Sequence, residues 1–189
     1  MKRRIALATG AIASASGLLI VFYIVANFVP SPSHPSMGRA VYIWQEEWSP
    51  AVGQSLQRAS SLADNFLVFA AEIGFRSGSA SISKSSMDWR ALQSAKIPVT
   101  LVVRAQDSFV GALTSKQTEE VTKLLQSKFD ELSNQAAEAG VLLTGFQIDF
   151  DCPTAMLSSY AEWLKRVRKV LPNDDLQLSI TVLPDWLSV

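Results

Sequence analysis

Five short apolar runs, separated by helix-like stretches, constrain the fold more than any other feature of this sequence. Ala40–Trp44, Phe66–Ala71, Ile97–Val103, Leu142–Phe150 and Leu176–Leu183 have the length and composition of strands. Phe66–Ala71 is apolar on both faces, which suits a parallel sheet covered on both sides. Helical signals lie between the runs. Ser49-Pro50 reads as a cap with proline at the first helical position, and Val52, Leu56, Ala59 and Leu62 follow at helical spacing. The serine- and glycine-rich stretch 74–86 reads as a long loop, and Met87–Leu92 as a short helix. Thr114 or Ser115 opens a long helix with Val121, Leu124, Leu125, Leu132, Ala136 and Ala139 on its apolar face; Gly140 closes it. Thr154 opens another, carrying Leu157, Tyr160, Ala161, Leu164 and Val167. Its last turns hold Lys165, Arg166, Arg168 and Lys169, where cations complement the helix dipole. Pro172 stops it.

This alternation predicts an α/β fold of parallel β-α units with right-handed crossovers. A doubly wound sheet and a (β/α)8 barrel both fit. After the first strand stands Trp44-Gln45-Glu46-Glu47-Trp48 rather than a glycine-rich phosphate loop, which argues against nucleotide binding. No cofactor or metal is expected. Cys152 is the single cysteine, so neither an internal disulfide nor a cysteine-based metal site is available.

The N-terminus predicts a different environment. Lys2, Arg3 and Arg4 precede a stretch from Ile5 to Val29 without a charged residue. That length exceeds the roughly 20 residues a helix needs to cross a bilayer, and basic flanks stay cytoplasmic. A cleaved signal peptide is the rival reading, but its apolar region runs to about 15 residues and ends in a small-x-small site. Val25–Val29 offers no clean one. Residues 1–29 are therefore expected to be a cytoplasmic tip and transmembrane signal-anchor, and 30–38 a stiff Pro/Ser linker. His34, the only histidine, lies in that linker and is given no role. Residues 39–189 would then be held beyond a bacterial-type inner membrane, in the periplasm or outside the cell. Without its three tip cations the chain is slightly acidic, which argues against a nucleic-acid partner.

The chemistry concentrates on the fourth run. Alternation puts Gln147, Asp149 and Asp151 on one face and Phe146, Ile148 and Phe150 on the other. In a barrel the apolar set packs on the helices and the polar set points inward at the C-terminal ends of the strands, where barrel enzymes carry their chemistry. Glu72 ends the second run and Arg104 the third, while Ser179 and Thr181 share a face of the fifth. Parallel, adjacent strands would bring these groups to one cleft. Asp151 is then the acid candidate, Asp149 its orienting neighbour and Glu72 the second carboxylate, since carboxylate pairs cleave glycosidic bonds. Trp44, Arg104, Gln147, Thr181 and Trp186 would line the cleft and bind substrate. The structural alternative is that Asp151 caps the next helix and Asp149 serves loop backbone.

Leu143-Thr-Gly-Phe-Gln-Ile-Asp-Phe-Asp-Cys-Pro153 resembles the fourth-strand motif of family 18 chitinases, D-G-x-D-x-D-x-E. Gly145, Ile148, Asp149 and Pro153 match in register. Asp151 stands where the family has its catalytic glutamate, and Thr144 and Gln147 replace two of its aspartates. Over residues 40–189 the chain is similar to an uncharacterised bacterial family, domain of unknown function 3142. The resemblance rests on Ala-Val-Tyr-Ile-Trp-Gln, Phe-Ala-Ala-Glu-Ile, Gly-Phe-Gln-Ile-Asp-Phe-Asp-Cys-Pro-Thr and Leu-Ser-Ile-Thr-Val-Leu-Pro-Asp-Trp-Leu. It implies a glycoside-hydrolase-like TIM barrel. A full barrel needs eight strands and about 250 residues, so an incomplete, roughly five-stranded barrel is expected. Its open edge leads to self-association or calls for a missing C-terminal half. Two functions stay open: a membrane-anchored glycoside-hydrolase-like domain acting on envelope or extracellular glycan, and a non-catalytic binding or interaction module.

Overall fold

Parallel pairing in strict chain order decides between the two architectures. The computed structural model describes residues 38–76, 78–115 and 117–188. The expected anchor, 5–29, and the linker up to residue 37 lie outside the described residues. Among the described residues no helix is long and apolar enough to cross a membrane. The strands are β1 (Ala40–Ile43), β2 (Asn65–Arg76), β3 (Ser79–Lys84), β4 (Val99–Ala105), β5 (Leu143–Asp149) and β6 (Gln177–Ile180). The helices are α1 (Pro50–Ala59), α2 (Trp89–Ala95), α3 (Val110–Leu113), α4 (Gln117–Ala139) and α5 (Leu157–Lys169). The parallel strands run β1-β2-β4-β5-β6, and β3 pairs antiparallel with β2 beyond β1. A doubly wound sheet reverses strand order at a switch point. Here the order never reverses, so right-handed crossovers lay every helix on the same side. One face is covered by helices and the other is left to curl inward, as in a barrel.

One hydrogen bond reports the curl. Tyr42 on β1 donates through its hydroxyl to Gln147 Oε1 on β5 at 2.8 Å. Three strand spacings, roughly 14 Å in a flat sheet, separate their strands. Side chains standing upright on a flat sheet would stay that far apart. They meet because the sheet bends into a concave trough.

The convex face is the core. Phe66, Val68, Val99, Leu101, Val103, Phe146 and Ile148 are fully buried, together with Val121, Leu125, Phe129 and Leu132 of α4. Phe129 and Phe146 pack with ring centroids 4.1 Å apart. Phe109, in the short turn before α3, sits 4.6 Å from Trp163 of α5. The Trp163 indole is not left unpaired, since its Nε1 donates to Thr122 Oγ1 at 3.2 Å.

Several expected elements differ. The stretch 74–86 is not a loop. β2 continues to Arg76, and β3 returns as the second arm of a hairpin. Its strand character lies in period two: Ile73 and Phe75 face Ile82 and Ala80 across the hairpin, with glycine and serines between them. Gly78 takes φ +81° at the turn, a conformation that favours glycine. α2 starts two residues later than expected, because Asp88 caps it by accepting from the Ala91 backbone N–H at 3.0 Å. Ser115 accepts from the Gln117 backbone N–H at the start of α4. Thr154 makes no cap; the chain enters α5 through a 3-10 turn, Thr154–Met156. The expected helix faces hold at Leu56, Val121, Leu125, Leu132, Ala136, Tyr160 and Val167, all buried, and differ at single positions. Leu62 and Leu124 are exposed, while Phe129 and Trp163 are buried.

Candidate functional site

The concave face carries a row of charge at the C-terminal ends of three adjacent strands. Glu72 of β2 pairs in register with Arg104 of β4, and Arg104 with Asp149 of β5. Strict alternation from Phe66 would turn Glu72 toward the helices. A register shift between Phe69 and Ala71, an extra residue in β2, reverses the parity. Leu67 and Phe69 lie on the inner face before it, and Glu72 and Gly74 after it. The Cα atoms of Glu72 and Asp149 are two strand spacings, roughly 10 Å, apart.

Each carboxylate is held by a neutral donor. Thr181 donates from Oγ1 to Asp149 Oδ1 at 2.9 Å, and its oxygen accepts from the Phe150 backbone N–H at 3.3 Å. Gln106 donates from Nε2 to Glu72 Oε2 at 2.8 Å. The Gln106 backbone N–H is fixed in turn by the Ile73 carbonyl at 2.9 Å. Gly74 leaves room for that amide: a Cβ at Gly74 would lie 2.6 Å from Gln106 Oε1. Glu72, Gly74, Ser81, Ser83 and Gln106 line a hollow of 190 Å³. Deeper in the trough Gln147 is buried and donates from Nε2 to Ser179 Oγ at 3.4 Å, as well as accepting from Tyr42.

An aromatic platform stands beside this row. Tyr42 and Trp44 are two residues apart on β1 and at its end, so they share a face. Their rings are parallel within 2° at 5.8 Å, and each is 44% exposed. Phe69 supports Trp44 from below at 5.6 Å. The free edge of β1 and α1 enclose a further cleft of 310 Å³ that reaches Trp44.

Two expected site residues lie off the strand row. Asp151 does not continue the strand face of Asp149. The Cys152 backbone N–H bonds back to the Phe150 carbonyl at 2.9 Å, so Asp151 is exposed at the centre of a tight turn after β5. Trp186 does not line the trough. It lies in the 3-10 segment Pro184–Ser188, donates from Nε1 to the Cys152 carbonyl at 3.0 Å, and meets Tyr160 edge-on at 6.1 Å. It clamps the Asp151 turn from the helix side. Beneath that turn burial pushes the Cys152 thiol up to about 11, which keeps it protonated and inert. Burial, with Cys152 and Asp149 nearby, also raises the Tyr160 hydroxyl. Among the described residues no cluster of three or more His, Cys, Asp or Glu side chains is placed to hold a metal ion.

The sequence reading missed Tyr42 and Gln106. Tyr42 shares parity with Trp44, a signal available in the sequence. Gln106 lies just past β4 and shows its role only through its contact with Glu72.

The model of the family described as Domain of unknown function (DUF3142) matches residues 71–189. Among solved structures, the Bacillus cereus spore cortex-lytic enzyme SleL is similar at 18% identity and a TM-score of 0.53, over 78% of this chain and 35% of that one. A chitinase from Bacteroides thetaiotaomicron is similar at 12% identity and a TM-score of 0.51, over 78% of this chain and 47% of that one. The chain thus spans between a third and a half of the length of these structures, and at such identities the likeness is one of fold. No curated protein matches the sequence.

Proposed function

The chain belongs to the DUF3142 family, and from that premise we propose that its concave face is a glycan site of glycoside-hydrolase type. The observation that carries the reading is the register row Glu72–Arg104–Asp149 at the C-terminal strand ends, beside the stacked Tyr42 and Trp44 rings. Half-exposed parallel rings offer apolar faces that suit the C–H faces of a sugar. Asp151 is the acid candidate, with Asp149 orienting or stabilising it and Glu72 as the second carboxylate. Glu72 and Asp149 stand far enough apart to admit a sugar or a water between them. Trp44, Arg104 and Gln147 bind, and Thr181 holds Asp149. The likeness in fold to a spore cortex-lytic enzyme and a chitinase supports an amino-sugar glycan of the envelope or surroundings as the substrate class. In the same reading residues 5–29 tether the domain to the inner membrane, facing outward.

A second reading, binding without cleavage, is favoured by one observation. Asp151 is exposed and so lacks the apolar enclosure that typical catalytic acids use. The experiment is release of reducing ends from chitin oligosaccharide and from peptidoglycan by the full chain, with binding measured alongside. The enzyme reading predicts release by wild type and a loss of about a hundredfold or more in Asp151→Asn and Asp149→Asn, with binding retained. Binding without release selects the second reading. Absence of both refutes the glycan site.

A further inference from the structure

Arg104 is the one member of the register row without a partner. It stands between Glu72 and Asp149, one strand spacing from each. A long cation between two carboxylates would ordinarily pair with one of them. Among the described residues, no carboxylate lies within ion-pair distance of Arg104, and no hydrogen bond engages its guanidinium. Each flanking carboxylate instead gives one of its two oxygens to a neutral donor. Gln106 takes the Glu72 carboxylate at 2.8 Å, and Thr181 takes the Asp149 carboxylate at 2.9 Å. On the Glu72 side the arrangement depends on a missing side chain, since a Cβ on Gly74 would come within 2.6 Å of Gln106 Oε1. Arg104 itself is exposed in the trough. All five of its donors are left to a ligand, in a planar fork that matches a carboxylate bidentately.

We propose that Arg104 is an acid-recognition residue and that the glycan bound in the trough carries a carboxylate. This rests on the glycan reading above and narrows it from amino-sugar polymers in general to acidic ones. The flanking carboxylates give the row a net negative charge, so the acid is recognised by direct contact with the fork and not by long-range attraction. A lysine, a point charge without the fork, is a poor substitute.

The test is a binding titration of the full chain with three probes: a muramic-acid-containing disaccharide with its free carboxylate, the methyl ester of the same disaccharide, and a neutral chitin oligosaccharide. Wild type binds the free acid more tightly than the ester. Arg104→Gln weakens binding of the acid about tenfold or more, the range expected for a charge-assisted hydrogen bond, and weakens the other two far less. Arg104→Lys does not restore the preference. Gln106→Ala also erodes it although Arg104 is intact, because Glu72 then loses its competing neutral donor and turns more readily to Arg104. Circular dichroism confirms that each variant keeps its fold. Equal binding of acid and ester by wild type, or an equal loss for all three probes in Arg104→Gln, overturns the proposal and leaves the glycan site standing. Binding of none of the probes refutes the glycan reading, and this inference with it.

Discussion

At the scale of single residues, the trough is held by polar side chains that reach across it. The Tyr42–Gln147 bond spans four strands, and Gln147 is only 6% exposed. Removing the hydroxyl leaves a buried amide oxygen without its donor. Tyr42→Phe should therefore cost about 1–3 kcal/mol in chemical denaturation, although the ring and its stacking on Trp44 remain. An unchanged midpoint would mean that the curl needs no such tie. The residues that make this row were unevenly legible. Gln147 and Asp149 could be read because Phe146, Ile148 and Phe150 alternate with them and only one parity buries the rings. Glu72 was named for its position at the end of an apolar run, but alternation alone assigns it to the wrong face, and the extra residue after Phe69 leaves no mark in composition. Asp151 lies in the turn past the end of β5, where alternation no longer fixes the direction of a side chain.

At the scale of elements, two contacts decide whether neighbouring pieces stay together. β6 is four residues long and, among the described residues, pairs only with β5. Its approach depends on Gly145, where a Cβ would lie 2.3 Å from the Gln177 carbonyl oxygen. Both partners are backbone, so neither side chain can swing aside. Gly145→Ala should cost about 2 kcal/mol or more and should strip hydrogen-exchange protection from Gln177–Ile180 before the rest of the sheet. Uniform loss of protection would show that β6 is not separable. The β2–β3 hairpin, hidden from the sequence reading by its serines, is tied to α4 through Glu131. That carboxylate takes Lys84 of β3 and Lys128 of α4, and these two ammonium groups hold it down to about 2. A depressed carboxylate contributes stability above its ordinary value and loses it on acidification. The contribution should fade as pH drops from about 4.5 towards about 2. The group is 38% exposed, so screening limits it to about 1 kcal/mol. Glu131→Gln should therefore be less stable than wild type at neutral pH, with the difference vanishing near pH 2. A gap that persists at low pH would assign the effect to packing.

At the scale of the whole molecule, β1 and β6 each present one edge without a hydrogen-bonded neighbour in the described sheet. Exposed parallel edges recruit further strands, so the full chain in mild detergent should self-associate in sedimentation as concentration rises. A monomer at all concentrations would show the edges to be protected. The tether proposed for residues 5–29 predicts that the chain stays with membranes after carbonate extraction and keeps those residues on N-terminal sequencing. Release into the soluble fraction would remove it. The parallel order was legible at this scale because strand and helix periods alternate along the chain. The inward turn of the polar face followed from the barrel expectation, but the bond that ties the curl was not legible, because Tyr42 and Gln147 are 105 positions apart. The central claim is that the concave face binds glycan, and the five tryptophan indoles offer a direct test. Trp44 stands on that face, while Trp163 is buried against Thr122 and Trp186 is bonded to Cys152 on the helix side. In a nitrogen–proton correlation spectrum, adding chitin or peptidoglycan oligosaccharide should shift the Trp44 indole signal and leave that of Trp163 in place. A Trp44 signal unmoved at saturating glycan, or shifts confined to the helix-side indoles, would contradict the account.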